Sequence, residues 1–322
     1  MATPVSGRRM LRLVARRFGP PAEVLSVETA PRPQPGPAGA VVRMLASAIN
    51  PSDLLTIRGA YPQRTPLPFV PGFEGVGVVE ALGPATTGLG VGQRVLPLGS
   101  AGGWQGLKAL PAEWCVPVPE DLTDDQAATA YVNPLTARLM LRALAPTPGA
   151  LIGINAAGSA IGRMLLRMLR AAGARPVAIL RSAASVAALE EEPAAEVVVE
   201  GFPLPRLDGG FDAVGGAAGA ALAAAIRPGG TMIHYGLLSG VPLPPELGRR
   251  DGVAVRPFWL RSWVHAAPRA ALRETMAEVF GDIRSGLATT AVAAHYPIID
   301  FAAALAHDAL PGRGGKVLLV PG

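Results

Sequence analysis

The sequence predicts an α/β chain in two parts: a doubly wound parallel sheet and a smaller, β-rich domain. Three observations carry this. At 322 residues the chain exceeds the size at which a single hydrophobic core usually stops growing. Its first third consists of short alternating apolar runs, closely punctuated by Pro and Gly. From Gly149 onward, strand-like runs alternate with helix-like ones, the pattern of a parallel sheet with helices on both faces. Half the residues are hydrophobic and 16% are charged, so the chain can bury a sizeable core and does not resemble a disordered one.

Taken in order, Met10-Leu11-Arg12-Leu13-Val14 alternates and reads as a first strand. The flanking pairs Arg8-Arg9 and Arg16-Arg17 are therefore not read as a transit peptide, and the ordered domain is expected to begin almost at once. Residues 40–44 and 75–79 read as further strands of a compact barrel or sandwich. Thr123, followed by acids, predicts a capped helix start. Residues 150–154 read as a buried strand and 159–172 as a helix, with Ile161, Leu165, Leu166, Met168 and Leu169 apolar and Arg163, Arg167 and Arg170 exposed. Strands are expected at 176–180, 197–199, 211–214 and 231–235. A helix at 301–310 and a strand at 316–320 are read as rejoining the first domain. The expected domains are 1–119 and 120–290, with 291–322 returning to the first.

The net charge is +5, yet only Lys108 and Lys316 are lysines and the arginines are dispersed. This is read as scattered surface charge, with no nucleic-acid face. Cys115 is the only cysteine, which excludes an intrachain disulfide and a cysteine metal cluster and fits a reducing cytoplasm. Beside Trp114, it reads as a buried hydrophobe. The apolar stretches break before membrane-spanning length. His234, His265, His295 and His307 lack ligand spacing and read as structural or exposed.

Asn155-Ala156-Ala157-Gly158-Ser159-Ala160-Ile161-Gly162 joins a predicted strand to a predicted helix. Backbone N–H groups at such a helix start can hold a pyrophosphate, small residues let the phosphates approach, and Gly162 lets the helix pack on the strand. The segment is an incomplete G-x-G-x-x-G, so the strand–turn–helix context carries the reading. Arg181 ends the next strand, 23 residues after Gly158, where an NAD site places an acid for the ribose. A guanidinium there suits a 2′-phosphate; the alternative is a surface arginine.

Gly72-Phe73-Glu74-Gly75-Val76-Gly77-Val78-Val79 resembles the G-H-E-x-x-G segment of the medium-chain dehydrogenase/reductase family. Zinc-dependent members carry a histidine where Phe73 stands and a cysteine upstream, where this chain reads Ile49-Asn50-Pro51-Ser52-Asp53. The structural zinc lobe is also absent, so no metal site is expected. Within the zinc-free branch the chain is most similar to the trans-2-enoyl-thioester reductases. The segments 49–53, Gly59-Ala60-Tyr61, 132–137, Gly229-Gly230-Thr231-Met232 and 258–263 carry this likeness over nearly the whole chain, and zinc-free quinone oxidoreductases share most of it.

The resemblance implies a Rossmann-type domain, a GroES-like catalytic domain, NADPH as cofactor, a small-molecule or acyl-thioester substrate and a homodimer. Residue by residue, it implies Tyr61 as proton donor and Asn133 as a cofactor ligand. It places Gly158, Ser159, Ala160 and Ile161 in the pyrophosphate turn and Arg181 at the 2′-phosphate. Tyr235, Gly236, Leu237 and Leu238 fall in the loop beside the nicotinamide, Phe258, Trp259 and Leu260 in a cofactor and pocket segment, and Lys316 at the cofactor. Ala160, where the family commonly has glycine, and Ser182-Ala183, in place of more polar residues, are departures. Tyr61 also reads as a packed turn tyrosine, and Trp259 and Trp263, four apart, as helix packing.

The implied reaction is alkene reduction: hydride to the β-carbon of an enoyl thioester and a proton to the α-carbon from Tyr61. The rival readings are a quinone or general enone reductase, which needs no dedicated proton donor, and a catalytically silent NADPH-binding protein.

Overall fold

The computed structural model describes residues 9–186, 189, 192, 194, 196–249 and 252–321. The chain divides into two compact units: residues 1–132, 264–284 and 290–322 form the first, and residues 133–263 and 285–289 the second.

The first unit opens with β1 (Arg9–Ala15), α1 (Pro21–Val24) and β2 (Leu25–Pro31), with β1 and β2 paired antiparallel from Arg9–Pro31 to Ala15–Leu25. It continues with β3 (Gly39–Ala48), α2 (Pro51–Ile57), β4 (Val76–Leu82), β5 (Arg94–Pro97), β6 (Leu107–Pro111), β7 (Cys115–Pro117) and α3 (Asp124–Ala128). Thr123 caps α3 as expected: its side chain accepts from Gln126 N–H at 3.2 Å, while Gln126 accepts from Thr123 N–H at 2.9 Å.

The second unit holds α4 (Val132–Leu144) from its second residue, then β8 (Leu151–Ile154), α5 (Ala160–Ala171), β9 (Arg175–Leu180), β10 (Glu196–Val199), β11 (Leu207–Asp212), α6 (Gly216–Ala225), β12 (Ile226–His234) and β13 (Ala254–Pro257). Its six strands run parallel in the order β10-β9-β8-β11-β12-β13. Val177, Ile179, Val198, Leu207, Leu222, Ile226 and Met232 pack into one of its buried clusters. In α5 Leu165, Leu166, Met168 and Leu169 are buried as read, together with Met164, while Ile161 is half-buried; Arg167, read as exposed, is half-buried and donates to Gly286 O at 2.6 Å and to the Thr289 hydroxyl at 2.7 Å.

After α7 (Leu260–Ala266), the chain adds α8 (Arg269–Arg284), β14 (Val292–Pro297), α9 (Phe301–Asp308) and β15 (Lys316–Val320) to the first unit. The first unit's larger sheet runs β14-β15-β3-β4-β5-β7, with β6 also pairing β3. The tail is stitched in through β15, antiparallel to β3 at Leu318–Ala48 and Leu319–Ser47. Leu13, Leu25, Ile49, Ile57, Trp104, Val317 and Leu319 share one core of this unit, so the two ends of the sequence bury each other.

The unit boundaries differ from those read in the sequence. Residues 120–132 group with the first unit because α3 packs on β3 and β4. Residues 264–284 group there too: the Arg269 guanidinium lies 3.7 Å above the Trp114 ring, and Arg284 donates twice to Asp121, at 2.6 and 2.8 Å. A helical period does not say which domain a helix serves. Likewise β11 stops at Asp212, short of the strand expected over 211–214, because the Asp212 carboxylate accepts the N–H groups of Val214 and Gly215 and turns the chain.

Candidate active and cofactor site

In the second unit the strand–turn–helix read from the sequence has the geometry of an anion cradle. Ser159 is the N-cap of α5, its hydroxyl accepting from Gly162 N–H at 3.1 Å. The remaining first-turn N–H groups of a helix have no helical partner and point outward. Ala156 turns the chain in the left-handed region at φ 49°. A methyl group on Gly162 would stand 2.6 Å from Ala157 O and 2.7 Å from Ala156 O, so only glycine lets α5 start this close to the turn. Gly158 is crowded only by Leu180, at 3.6 Å, and leaves room for a ligand. The Arg163 side chain donates to Gly158 O at 3.2 Å and places a cation beside the turn.

Arg181 directly follows β9, the strand next to β8, and is exposed. Beyond β12, Tyr235 and Gly236 are half-buried, whereas Leu237 and Leu238 are exposed. The Tyr235 hydroxyl is buried without a hydrogen-bond partner among the described residues, and burial pushes its pKa up. Phe258 N–H donates to His234 O at 2.8 Å, which holds Phe258, Trp259 and Leu260 beside the end of β12; Trp259 is exposed. Asn133, half-buried, is the second residue of α4. Gly158 to Ile161, Arg181, Tyr235 to Leu238 and Phe258 to Leu260 thus gather at the carboxyl ends of adjacent parallel strands, where open α/β sheets bind ligands.

Sequence reasoning missed a polar cluster at the same edge. Asp212 is fully buried; its carboxylate accepts from Asn155 Nδ2, from the N–H of Val214 and Gly215 at 3.0 and 3.1 Å, and from His234 Nδ1 at 2.6 Å. Burial alone would raise the Asp212 carboxyl, but the bonds from His234, Asn155 and the two N–H groups outweigh it and hold it below the ordinary range. The available signal was an acid inside an apolar strand, which rarely stays buried unless satisfied.

In the first unit, Asn50-Pro51-Ser52-Asp53 is a helix start: Asn50 caps α2, Pro51 takes the first turn, and Asp53 accepts from Asn50 N–H at 3.0 Å. The other Asp53 oxygen accepts from Gly72 and Phe73 N–H, at 3.2 and 3.0 Å. Glu74 accepts from Asn50 Nδ2 at 2.9 Å and from the N–H of Tyr131 and Val132, both at 2.7 Å. That capture holds Tyr131 between α3 and α4.

Lys316, read as a cofactor ligand, is buried in this network. Its ammonium donates to Asn50 Oδ1 and, at 3.3 Å, to Ile49 O. Burial pushes the Asp53 carboxyl up to about 7, raises Glu74 and lowers Lys316, each moderated by the opposite charges nearby. The network fixes residues 49–53 and 72–74 against β15. Among the described residues no group of three or more His, Cys, Asp or Glu side chains is placed to hold a metal ion.

Tyr61 precedes a short 3-10 turn, Pro62–Arg64, and is half-exposed, with the Arg64 guanidinium 5.5 Å from its ring centre. The distant Tyr61 and Lys316 are thus brought into the first unit, and all the other site residues lie in the second. Among the described residues no helix is long and apolar enough to cross a membrane.

Residues 36–120 match the alcohol dehydrogenase GroES-like domain. The bovine mitochondrial enoyl-[acyl-carrier-protein] reductase is 30% identical, over 97% of this chain and 88% of its own length. Among solved structures, a Bacillus thuringiensis protein assigned as an NADPH:quinone reductase is 32% identical with a TM-score of 0.92, covering 98% of this chain and 99% of its own. A mycobacterial protein solved with NADPH is 26% identical with a TM-score of 0.85, covering 97% of this chain and 100% of its own.

Proposed function

This chain belongs to the medium-chain dehydrogenase/reductase family of oxidoreductases, and from that premise we propose that it reduces the carbon–carbon double bond of a trans-2-enoyl thioester with NADPH. The N–H groups at the start of α5 take the pyrophosphate, helped by the positive end of the helix dipole. Gly158 lets it approach. Arg181 is exposed at the end of β9, where a 2′-phosphate would be met by a planar, always-charged fork. Residues 235–238 flank the nicotinamide. Bound NADPH supplies the hydride for the β-carbon.

The observation that carries the substrate reading is Tyr61, a half-exposed phenol on a turn of the unit that contains the Asn50–Asp53–Glu74–Lys316 network. Its hydroxyl protonates the α-carbon as the bond is reduced. The relative named for enoyl-thioester reduction spans nearly the whole chain, which supports this choice.

A second reading is favoured by the solved structures, several of which bear the name quinone reductase. A quinone can take its protons from water. The test is Tyr61→Phe, assayed with NADPH against crotonyl thioesters and a panel of quinones. The substitution keeps the ring and removes the hydroxyl. Thioester turnover is expected to fall by roughly two to four decades, the usual worth of a positioned acid, with NADPH binding unchanged and any quinone reduction spared. Thioester turnover within a few-fold of wild type would favour the quinone reading.

A further inference from the structure

His234 ends β12 and stands in register with Asp212 on β11 and Pro257 on β13. The strand order β10-β9-β8-β11-β12-β13 reverses direction between β8 and β11, and α5 begins at that switch point. With Arg181 at the end of β9 holding one half of a dinucleotide, the other half must lie on the far side of β8, over β11 and β12. Three inter-strand spacings, about 14 Å, separate β9 from β12. His234 therefore sits under the nicotinamide riboside, provided the cofactor reading above holds.

The chemistry of the pair is specific. Both Asp212 oxygens are taken: Oδ1 by Asn155 Nδ2 and the N–H of Val214 and Gly215, and Oδ2 by His234 Nδ1 at 2.6 Å. The carboxylate is therefore closed to a ligand. Because a carboxylate only accepts, it keeps a proton on Nδ1 and leaves Nε2 as the ring nitrogen that can meet a ligand. Nε2 makes no hydrogen bond with the described residues, and the His234 side chain keeps 23% of its surface exposed over an aspartate that has none. We propose that His234 is a positioning residue for the cofactor, its Nε2 accepting a hydrogen bond from the nicotinamide riboside, either a ribose hydroxyl or the carboxamide N–H.

The test compares two ligands on the full-length protein: NADPH, and 2′,5′-ADP, which carries the Arg181-facing phosphate but no nicotinamide half. His234→Asn keeps an amide donor near the Nδ1 position for Asp212 and deletes Nε2. Loss of one neutral hydrogen bond should weaken NADPH about three- to ten-fold and leave 2′,5′-ADP unchanged. His234→Gln, which returns an amide oxygen near the Nε2 position, should recover part of the loss even where the Asn variant is less stable. With the 3-acetylpyridine analogue of NADPH, which lacks the carboxamide N–H, a persisting Asn-variant penalty assigns the hydroxyl and a vanishing one assigns the carboxamide; both agree with the proposal. Unchanged NADPH affinity, or equal weakening of both ligands, overturns it and leaves His234 a structural partner of Asp212. Wild-type protein that binds neither ligand overturns the cofactor reading and this inference with it.

Discussion

Gly162→Ala and Gly281→Ala are the same substitution in two helices, and the structure predicts opposite signs. An added methyl at Gly162 meets Ala157 O at 2.6 Å and Ala156 O and Ala157 Cα at 2.7 Å, where ordinary contact begins near 3.4 Å. The helix start and the turn would have to separate by about 0.8 Å, the difference between 3.4 and 2.6 Å. All three neighbours are backbone, so no rotamer change relieves the clash, and the cost lies in the upper part of the ~1–3 kcal/mol typical of overpacking. The helix-propensity gain of Ala over Gly returns at most ~1 kcal/mol. The net is a loss of about 1–2 kcal/mol, or a Tm lower by about 2–8 °C. Displacing the turn should also weaken NADPH by about tenfold or more, since that contact depends on aligned N–H groups.

Gly281 lies late in α8, exposed, with no atom within 4 Å of an added methyl. Only the propensity term acts there, and Gly281→Ala should stabilise by about 0.5–1 kcal/mol with NADPH binding unchanged. Thermal unfolding followed by circular dichroism, with NADPH titrated by fluorescence, reads both variants. A Gly162→Ala protein as stable as Gly281→Ala would refute the close packing of α5 on the turn.

Two further outcomes follow. Arg181→Ala should raise the KM for NADPH by about one to two decades and leave that for NADH nearly unchanged; equal effects on both would mean that Arg181 does not read the 2′-phosphate. Among the described residues Lys108 is buried with only carbonyl partners, Pro97 O and Ser100 O, each at 2.7 Å, and burial pulls its pKa from 10.5 down to about 7, with nearby Cys115 acting the other way. Between pH 7 and 10.5 the unfolded chain therefore binds a proton that the folded chain does not. Stability from this group rises with pH across that window, with a slope of up to ~1.4 kcal/mol per pH unit, and levels off below 7, where both states carry the proton. Urea unfolding from pH 6.5 to 9.5 should show that component in wild type and not in Lys108→Met; parallel profiles would place a charged ammonium in the interior.

The sequence by itself determined the local elements and their order. Alternation read a strand over residues 10–14, which lies inside β1, and the run at 316–320 is β15, residue for residue. Thr123 and Ser159 announced helix starts because capping is chemistry between residues three apart. The strand–turn–helix segment was legible for the same reason: strand, small residues and capped helix are contiguous, and Gly162 is needed where the sequence has it.

What only the tertiary structure decided is whatever depends on residues far apart in the chain. Nothing local marks Lys316 as a partner of Asn50, 266 residues away, or His234 as the group that closes on Asp212. A lysine that follows two glycines, or a histidine that ends a strand, looks the same in sequence whether solvated or buried. The unit that α8 joins was hidden likewise, since its apolar period fits any partner and the choice rests on Arg269 over Trp114 and Arg284 on Asp121. Ionisable side chains acquire their roles from what desolvates them and what charge lies opposite, and both are set by packing that the linear sequence does not display.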